Sequence, residues 1–406
     1  MENNKKEKAI NQIFLGLALQ FIPLITLGLS KKYLNSLFPI SGILISFLVL
    51  GFVLVGYGFF IKGCRLYIKS KGYSSNWGWL GLLSMIGLSI LLLIPSKRNP
   101  VSLQDETLVN KPFDKINIPE LLLSWIIALP VLLFSILGIF CLLNNWNFSN
   151  LIKNQTILNL LNIIIYIFGG LVFLTTSRKE GLDFNKIIGY KNHINFKLIV
   201  IIFAIQFAFQ YGFNTLTLYK LSFILPKYVE SYINEKRFTN ISEMILWSFS
   251  VMFLAPLIEE FLFRGIILPK WSIKWGVKVG ILTSSLLFAI FHFRFDIIPL
   301  FLTGIILSIL YFKTRCLITS ILFHFFHNTT VVILNTIDYF STSEIERSAF
   351  ISIKDYQASI QPLLSQRAVL IAISLPFLIY FIYKSFPKND AIIPYYANDA
   401  KAYETN

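Results

Sequence analysis

Two adjacent acids, Glu259 and Glu260, interrupt an apolar run in the stretch PLIEEFLFRG, and Arg264 follows four residues after the second acid. If this run crosses a bilayer, each charged side chain costs roughly 3 kcal/mol. On a helix, Glu260 and Arg264 share one face, where an ion pair lowers the cost of both. Glu259 points about 100° away from that face. The pattern therefore predicts one structural acid and one reactive acid.

Three of the four histidines in the chain follow these acids, in or at the ends of apolar segments. His292 comes four residues after Phe288, and His324 comes four residues before Asn328, so each pair shares a helical face. A carboxylate and an imidazole can hold and deprotonate a water. A second imidazole and a side-chain amide can donate hydrogen bonds to a developing oxyanion. These residue types suit hydrolysis of an amide bond.

A metal site is the alternative arrangement for the same residues. His292, His324 and Glu259 are a common ligand set for a catalytic Zn²⁺, which keeps one position open for water. The sequence leaves both a metal-dependent and a metal-free mechanism open.

Each polar residue also has a structural interpretation. The Glu–Arg pair could bind helices together, a lone histidine on an apolar face is usually a packing residue, and Asn328 could form an interhelical hydrogen bond. We expect this structural role for His327 and His193. The concentration of the acids, His292 and the His324–Asn328 pair in three neighbouring segments favours a functional site instead.

Composition identifies the class of protein. The 406 residues are 55% hydrophobic, the mean hydropathy is +0.66, and 14% are charged, against about 25% in soluble domains. This excludes a soluble globular protein. The net charge of +15 comes from basic residues that are spread between apolar runs, as at Lys62, Arg65 and Lys69. That distribution is typical of the loops of polytopic membrane proteins and argues against a nucleic-acid partner.

Apolar runs of about 20 residues indicate membrane spans. They predict an all-α, polytopic integral membrane helical bundle of about 9–11 transmembrane helices. The abundance of Asn, Ile, Lys and Phe is typical of an AT-rich genome and indicates a prokaryotic cell membrane. The run at 13–30 is interpreted as a retained first span rather than a signal peptide. The candidate spans are 13–30, 38–61, 77–95, 121–143, 157–176, 197–213, 244–263, 277–293, 297–312, 316–336 and 368–386.

Polar connectors divide the chain into four predicted parts. An N-terminal membrane unit of about three spans ends at residue 118, and the polar residues concentrate in a later core. An amphipathic helix on the membrane surface is predicted from Pro226 to Lys236, and the tail from Asn389 is expected to be mobile. The parts are 1–118, 119–243 with upstream spans and this connector, 244–336 with the core, and 337–406 with a connector, the last span and the tail.

Three motifs give the chain a family resemblance. EEFLFR fits E-E-x-x-x-R, Phe288 to His292 fits F-x-x-x-H, and His324 to Asn328 fits H-x-x-x-N. In this order on apolar segments, they resemble the CPBP family of intramembrane proteases, also called the CAAX-protease and bacteriocin-processing or Abi family. The resemblance covers about residues 244–336, with looser similarity upstream to about 157.

The resemblance implies roles for the matched residues. Glu259 and His292 would activate the attacking water, and His324 and Asn328 would form the oxyanion site. The paired glutamate and arginine would support this site. The family was first described as metalloproteases, and a metal-free, glutamate-activated water has also been suggested for it. The chain departs from the family pattern between the second and third motifs, where Gly304 is followed four residues later by a serine instead of a second glycine.

The leading hypothesis is therefore a CAAX-prenyl-protease-like intramembrane endopeptidase, with or without zinc. Its expected partners are membrane lipid and a membrane-associated or lipidated peptide or protein substrate. A non-catalytic or immunity-type membrane scaffold of the same family is the alternative. A transporter is disfavoured because no inverted repeat is visible and the polar residues are confined to one region.

Overall fold

The structure, a computed structural model, describes residues 6–20, 39–94, 113, 116–143, 154–189, 195–235, 238–343 and 350–398. Every regular element in these ranges is a helix. Nine of the described helices are long and apolar enough to cross a membrane. The prediction of an all-α, multi-pass integral membrane bundle is confirmed. His193 lies outside the described residues.

The contacts divide the chain into two compact units, and unit 1 comprises residues 1–110 and 117–148. Its helices are α1 (6–20), α2 (Pro39–Ser70), α3 (Ser75–Leu93) and α4 (Ile118–Leu143). Side chains of α1, α2 and α3 form one apolar core that includes Ala9, Phe60 and Leu91. Because α3 also packs against α4, residues 117–148 belong to unit 1.

Helix α2 is longer than the sequence predicted. The second span was expected to end at Ile61 and a loop to follow, whereas the helix continues to Ser70. The reason is that Tyr67 and Ile68 are fully buried and extend the apolar face into the unit 1 core. The basic residues Lys62, Arg65 and Lys69 therefore lie on a helix rather than in a loop. Gly72, with φ +83°, lies in the turn that follows α2.

Unit 2 comprises residues 111–116 and 149–406. It contains six helices that could span a membrane, counted over its described ranges, together with shorter elements. In chain order they are α5 (Gln155–Lys179), α6 (Phe184–Ile188), α7 (Phe196–Ile224), α8 (Pro226–Ile233), α9 (Ile241–Trp275), α10 (Val277–Ile290), α11 (Ile297–Thr314), α12 (Leu317–Ser341) and α13 (Ile353–Ser385).

Helix α9 carries the two acids between two π-helical stretches, Ser250–Leu254 and Phe261–Ile267. Each stretch precedes a proline in the next α-helical segment, Pro256 or Pro269. Proline has no N–H for an i→i−4 bond and its ring crowds that carbonyl, so the preceding turn widens. The prolines thus account for the change of helical geometry on both sides of Glu259 and Glu260.

Helices α10, α11 and α12 pack in sequence and α9 packs against α10, while α13 lies along α7. Most of α11 is buried, so it forms the interior of this part of unit 2. A Cβ on Gly304 of α11 would come 2.9 Å from the Cα of Ser285 on α10. The glycine therefore permits the close approach of these two helices. Ser308, which replaces a family glycine, is fully buried and donates to the Gly304 carbonyl at 2.8 Å.

Two predictions about connectors can be compared with the structure. The amphipathic segment is helical over Pro226–Ile233. The tail was expected to be mobile from Asn389, but residues 394–398 form a helical turn whose Tyr395 and Asn398 are buried. Asn398 donates to two backbone carbonyls, those of Lys186 and Arg315, which explains why this part of the tail is ordered.

Candidate active site

Glu260 is the centre of a buried charge cluster. Its Oε1 accepts a hydrogen bond from Arg264 Nη1 at 2.9 Å and one from His324 Nδ1 at 2.8 Å. The exposed fraction is 0% for Glu260 and 1% for Arg264. The predicted ion pair is therefore present, and it joins α9 to α12 through the histidine. A carboxylate oxygen can only accept, so His324 carries a proton on Nδ1.

Arg264 has two further contacts that the sequence did not indicate. Its Nη2 donates to the carbonyl of Gly304 at 3.0 Å, and its guanidinium lies 4.5 Å from the ring centre of Phe288. These contacts come from α11 and α10. A guanidinium removed from water needs such acceptors and an aromatic face to offset its lost hydration. Arg264 thus connects α9 to both neighbouring helices.

Glu259 has a different environment from its neighbour. Its Oε1 accepts from the hydroxyl of Tyr166 on α5 at 2.9 Å. Its Oε2 is buried, has no hydrogen-bond partner, and lies 3.9 Å from His292 Nε2. The side chain of Glu259 is 12% exposed and that of His292 is 23% exposed, whereas Glu260 is fully enclosed. The expected separation of the two acids into different environments is found in the structure.

His292 lies beyond the end of its helix. The predicted span reached residue 293, but α10 ends at Ile290 and His292 is in the following turn. The last carbonyls of a helix lack intrahelical partners, and His292 Nδ1 meets that need by donating to the Phe288 carbonyl at 2.8 Å. The neutral ring therefore has its lone pair on Nε2, the atom that faces Glu259.

Asn328 and His327 are held by their own contacts on α12. Asn328 Nδ2 donates to the carbonyl of Val251 at 2.8 Å, within the first π-helical stretch of α9. His327 is buried, and its Nε2 donates to Gln210 Oε1 at 2.9 Å. Asn328 thus has one of its two N–H bonds engaged on α9, and His327 has the contacts of a packing residue.

The predicted zinc ligands are not gathered as a ligand set. His324 Nδ1 is engaged by Glu260, and the facing atoms of Glu259 and His292 are 3.9 Å apart. Across the described ranges, no three His, Cys, Asp or Glu side chains form a group that could hold a metal ion. The donor arrangement does not fit a metal, and we derive no catalytic step through one.

Sequence reasoning missed the tyrosine that bonds to Glu259. Tyr166 is 93 positions from Glu259, in an apolar helix whose pattern gives a single tyrosine no special status. Apart from its place in the F-x-x-x-H motif, Phe288 was expected only to pack in the core. The Gly304 acceptor is a backbone carbonyl, which no residue type in the sequence can indicate. Each is recognisable only by its position in the packed structure.

Comparison with known proteins identifies the segment that carries this geometry. Residues 241–330 match the family described as type II CAAX prenyl endopeptidase Rce1-like. These residues form a domain of the CPBP family. The family expectation from the three motifs is confirmed, and the CPBP domain includes α9 to α12 up to Thr330, with all six predicted site residues.

Two bacterial proteins are similar to part of this chain. An uncharacterised 24.3 kDa protein of Escherichia coli is 35% identical over 91 residues, which is 21% of this chain and 42% of the relative. The membrane-embedded CAAX protease MroQ of Staphylococcus aureus is 33% identical over 100 residues, 23% of this chain and 40% of that protein. The chain thus spans about two fifths of each relative. No solved structure matches it.

Proposed function

We propose that this protein is an intramembrane endopeptidase that hydrolyses a peptide bond of a membrane-associated or lipidated substrate. The observation that carries the proposal is the unpartnered Oε2 of Glu259, 3.9 Å from the lone pair on His292 Nε2. This gap is too long for a direct hydrogen bond but fits a water that bonds to both atoms. The match to CAAX endopeptidases supports the same chemistry.

In the proposed reaction, the water donates one hydrogen to Glu259 and the other to His292. Glu259 takes a proton as the water oxygen attacks the carbonyl carbon of the peptide bond. The C–N bond then breaks, and the proton passes to the departing amine. The products are a carboxylic acid and an amine, and the acid proton then passes to the amine to give the carboxylate and ammonium of the new termini. Tyr166 holds the other oxygen of Glu259 and so directs Oε2 at the water.

His324 and Asn328 are the proposed donors to the oxyanion. His324 donates its Nδ1–H to Glu260. It can therefore also donate from Nε2 only when both ring nitrogens carry a proton. Asn328 retains a second N–H beside the one on Val251. The cluster of Glu260, Arg264 and His324 would then contribute to binding of the oxyanion through His324, and would have no part in activating the water.

Glu259→Gln tests the proposal directly, because it keeps the shape of the side chain and removes the base. We expect the rate of cleavage to fall by about 10²–10⁴. Membrane peptides from cells expressing wild type, Glu259→Gln or the exposed control Glu7→Gln are compared by mass spectrometry. A peptide that accumulates only with Glu259→Gln is then used to measure turnover of the purified proteins. Equal turnover by wild type and Glu259→Gln would refute the assignment.

The same purified preparation separates the remaining alternatives. Turnover that persists after exhaustive chelation supports the metal-free mechanism, whereas loss that is restored by added Zn²⁺ contradicts it. A non-catalytic scaffold predicts that Glu259→Gln restores the cellular phenotype of a deletion strain as well as wild type does. The protease predicts that it does not.

A further inference from the structure

Unit 1 contains a basic cavity that belongs to no part of the CPBP domain. The cavity has a volume of about 650 Å³ and lies between α2 and the first turns of α3. Lys62, Arg65 and Lys69 line it, and no acidic side chain does. These three residues recur on one face of α2, three and four positions apart. Ligand sites are commonly about 300–1,000 Å³ in volume.

The cations in this cavity have no acidic partner among the residues that the structure describes. The ion pairs between described residues of unit 1 join Glu120 to Lys6 and Lys71 instead. Arg65 Nε is buried without a hydrogen-bond partner, and its guanidinium lies 5.2 Å from the ring centre of Trp79. A buried N–H donor without an acceptor is costly. The cavity therefore has the charge for an anion, and the arginine that lines it has an N–H without an acceptor.

The cavity continues into an apolar surface. Leu54, Gly58, Ile61 and Arg65 follow one another at helical spacing on α2. Leu54 is 63% exposed, and a Cβ on Gly58 would meet nothing within 4 Å. This face thus leads from the cations towards the middle of the candidate span Gly51–Ser70, where a membrane protein contacts acyl chains.

Aromatic side chains mark the level of the cavity in the membrane. Trp77 and Trp79 are 54% and 48% exposed at the start of α3, and the three cations occupy the last turns of the α2 span. Tryptophan together with Lys and Arg at a helix end is typical of the membrane–water interface. The basic cavity is therefore expected at headgroup depth, with its apolar face towards the hydrocarbon.

We propose that this cavity binds an anionic phospholipid, with the phosphate on Arg65 and the two lysines and the acyl chains along Leu54 and Ile61. The inference is independent of the proposed protease activity. Basic pockets at the ends of membrane helices attract acidic lipids with a strength of about a few-fold per cation. Arg65 supplies the directed hydrogen bonds, because a guanidinium matches the geometry of a phosphate.

Native mass spectrometry of the full chain in detergent tests the site with phosphatidylglycerol and phosphatidylcholine as probes. We expect wild type to retain phosphatidylglycerol in preference. Lys62→Gln with Lys69→Gln should weaken this retention about 25-fold, or about fivefold per charge. The matched control is Lys197→Gln with Lys220→Gln, two exposed lysines of α7, and it should leave retention unchanged.

Gly58→Leu tests the cavity without changing any charge. The position is open, so the leucine fits the fold but occupies the cavity, and phosphatidylglycerol retention should fall to the level of phosphatidylcholine. Thermal unfolding in lipid-free detergent checks that each variant is folded.

Three results would overturn the proposal. They are equal retention of the two lipids by wild type, an equal loss in the control pair, and full retention by a folded Gly58→Leu protein. Displacement of phosphatidylglycerol by inorganic phosphate alone would also contradict it, because the site would then recognise a free anion rather than a lipid.

Discussion

At the scale of single residues, Glu259 and Glu260 differ in what holds them. Each acid has one oxygen without a hydrogen-bond partner. Glu260 is sealed from solvent and its Oε1 receives two donors, whereas Glu259 is partly exposed, receives one donor, and has its unpartnered oxygen 3.9 Å from His292. Adjacent carboxylates in such different surroundings can carry separate roles. The free oxygen beside His292 makes Glu259 the candidate base, and the tyrosine contact determines which of its two oxygens is free.

Tyr166→Phe removes the hydrogen bond to Glu259 and keeps the aromatic ring. A hydrogen bond to a charged group contributes about 1.5–3 kcal/mol, so we expect kcat to fall about tenfold while KM changes little. The measurement is steady-state turnover of the purified protein with the peptide identified from the Glu259→Gln comparison.

Tyr219→Phe is the matched control for this prediction. Tyr219 lies on α7 and its ring packs on Phe223, so its hydroxyl has no part in the site. An unchanged kcat in Tyr166→Phe, or an equal fall in Tyr219→Phe, would contradict a positioning role for Tyr166.

At the scale of helices, the site depends on how closely α9, α10, α11 and α12 pack. Arg264 of α9 bonds to a backbone carbonyl of α11 and stacks on a phenylalanine of α10. His324 of α12 completes the cluster. These contacts require the close approach of α10 and α11 at Gly304. A displacement of α11 would withdraw the carbonyl that Arg264 needs.

Gly304→Ala should therefore destabilise the protein and impair the site. Its Cβ would come within 2.9 Å of the Ser285 backbone, and overpacking of this kind costs about 1–3 kcal/mol. We expect a lower midpoint of thermal unfolding in detergent and reduced turnover. Gly51→Ala on α2, where a Cβ meets nothing within 4 Å, should not lower the midpoint. Equal midpoints for Gly304→Ala and wild type would show that α10 and α11 can move apart at no cost.

At the scale of the whole molecule, the two units carry different features. The CPBP domain and the candidate active site lie in unit 2, and the basic cavity lies in unit 1. Unit 2 also includes the ordered part of the tail, residues 394–398, which forms hydrogen bonds with other segments of the unit. Tyr395 accepts a bond from the Asp183 N–H, and Asn398 donates to carbonyls near α6 and at the end of α11.

Asn398→Ala tests whether the ordered tail stabilises unit 2. It leaves two backbone carbonyls without their donor, which costs about 1–3 kcal/mol for a buried group. We expect the thermal midpoint to fall by several degrees, measured by intrinsic fluorescence in detergent. Asn185→Ala, at an exposed position of α6, serves as the control. If both variants have the same thermal midpoint as wild type, the tail contributes no stability.

Much of the site could be predicted from the sequence, because helical periodicity determines which residues within a turn meet. The Glu260–Arg264 pair and the Phe288–His292 contact are both four residues apart, and both are present. The membrane class followed from composition, and the family from three motifs in order. The extents of α2 and α10 were harder to predict, because buried contacts extend one helix and a histidine bonds the carbonyl end of the other.

Only the tertiary structure decided which helices meet around the two acids. The contacts of Glu260 with His324, of Glu259 with Tyr166 and of Asn328 with Val251 join residues 64, 93 and 77 positions apart. Such contacts depend on the rotation and spacing of packed helices, and the π-helical stretches of α9 alter both. The sequence by itself determined which chemical groups are available and which neighbours share a turn. Packing determined that one acid is enclosed with two donors on one oxygen, and that the other acid has its unpartnered oxygen beside His292.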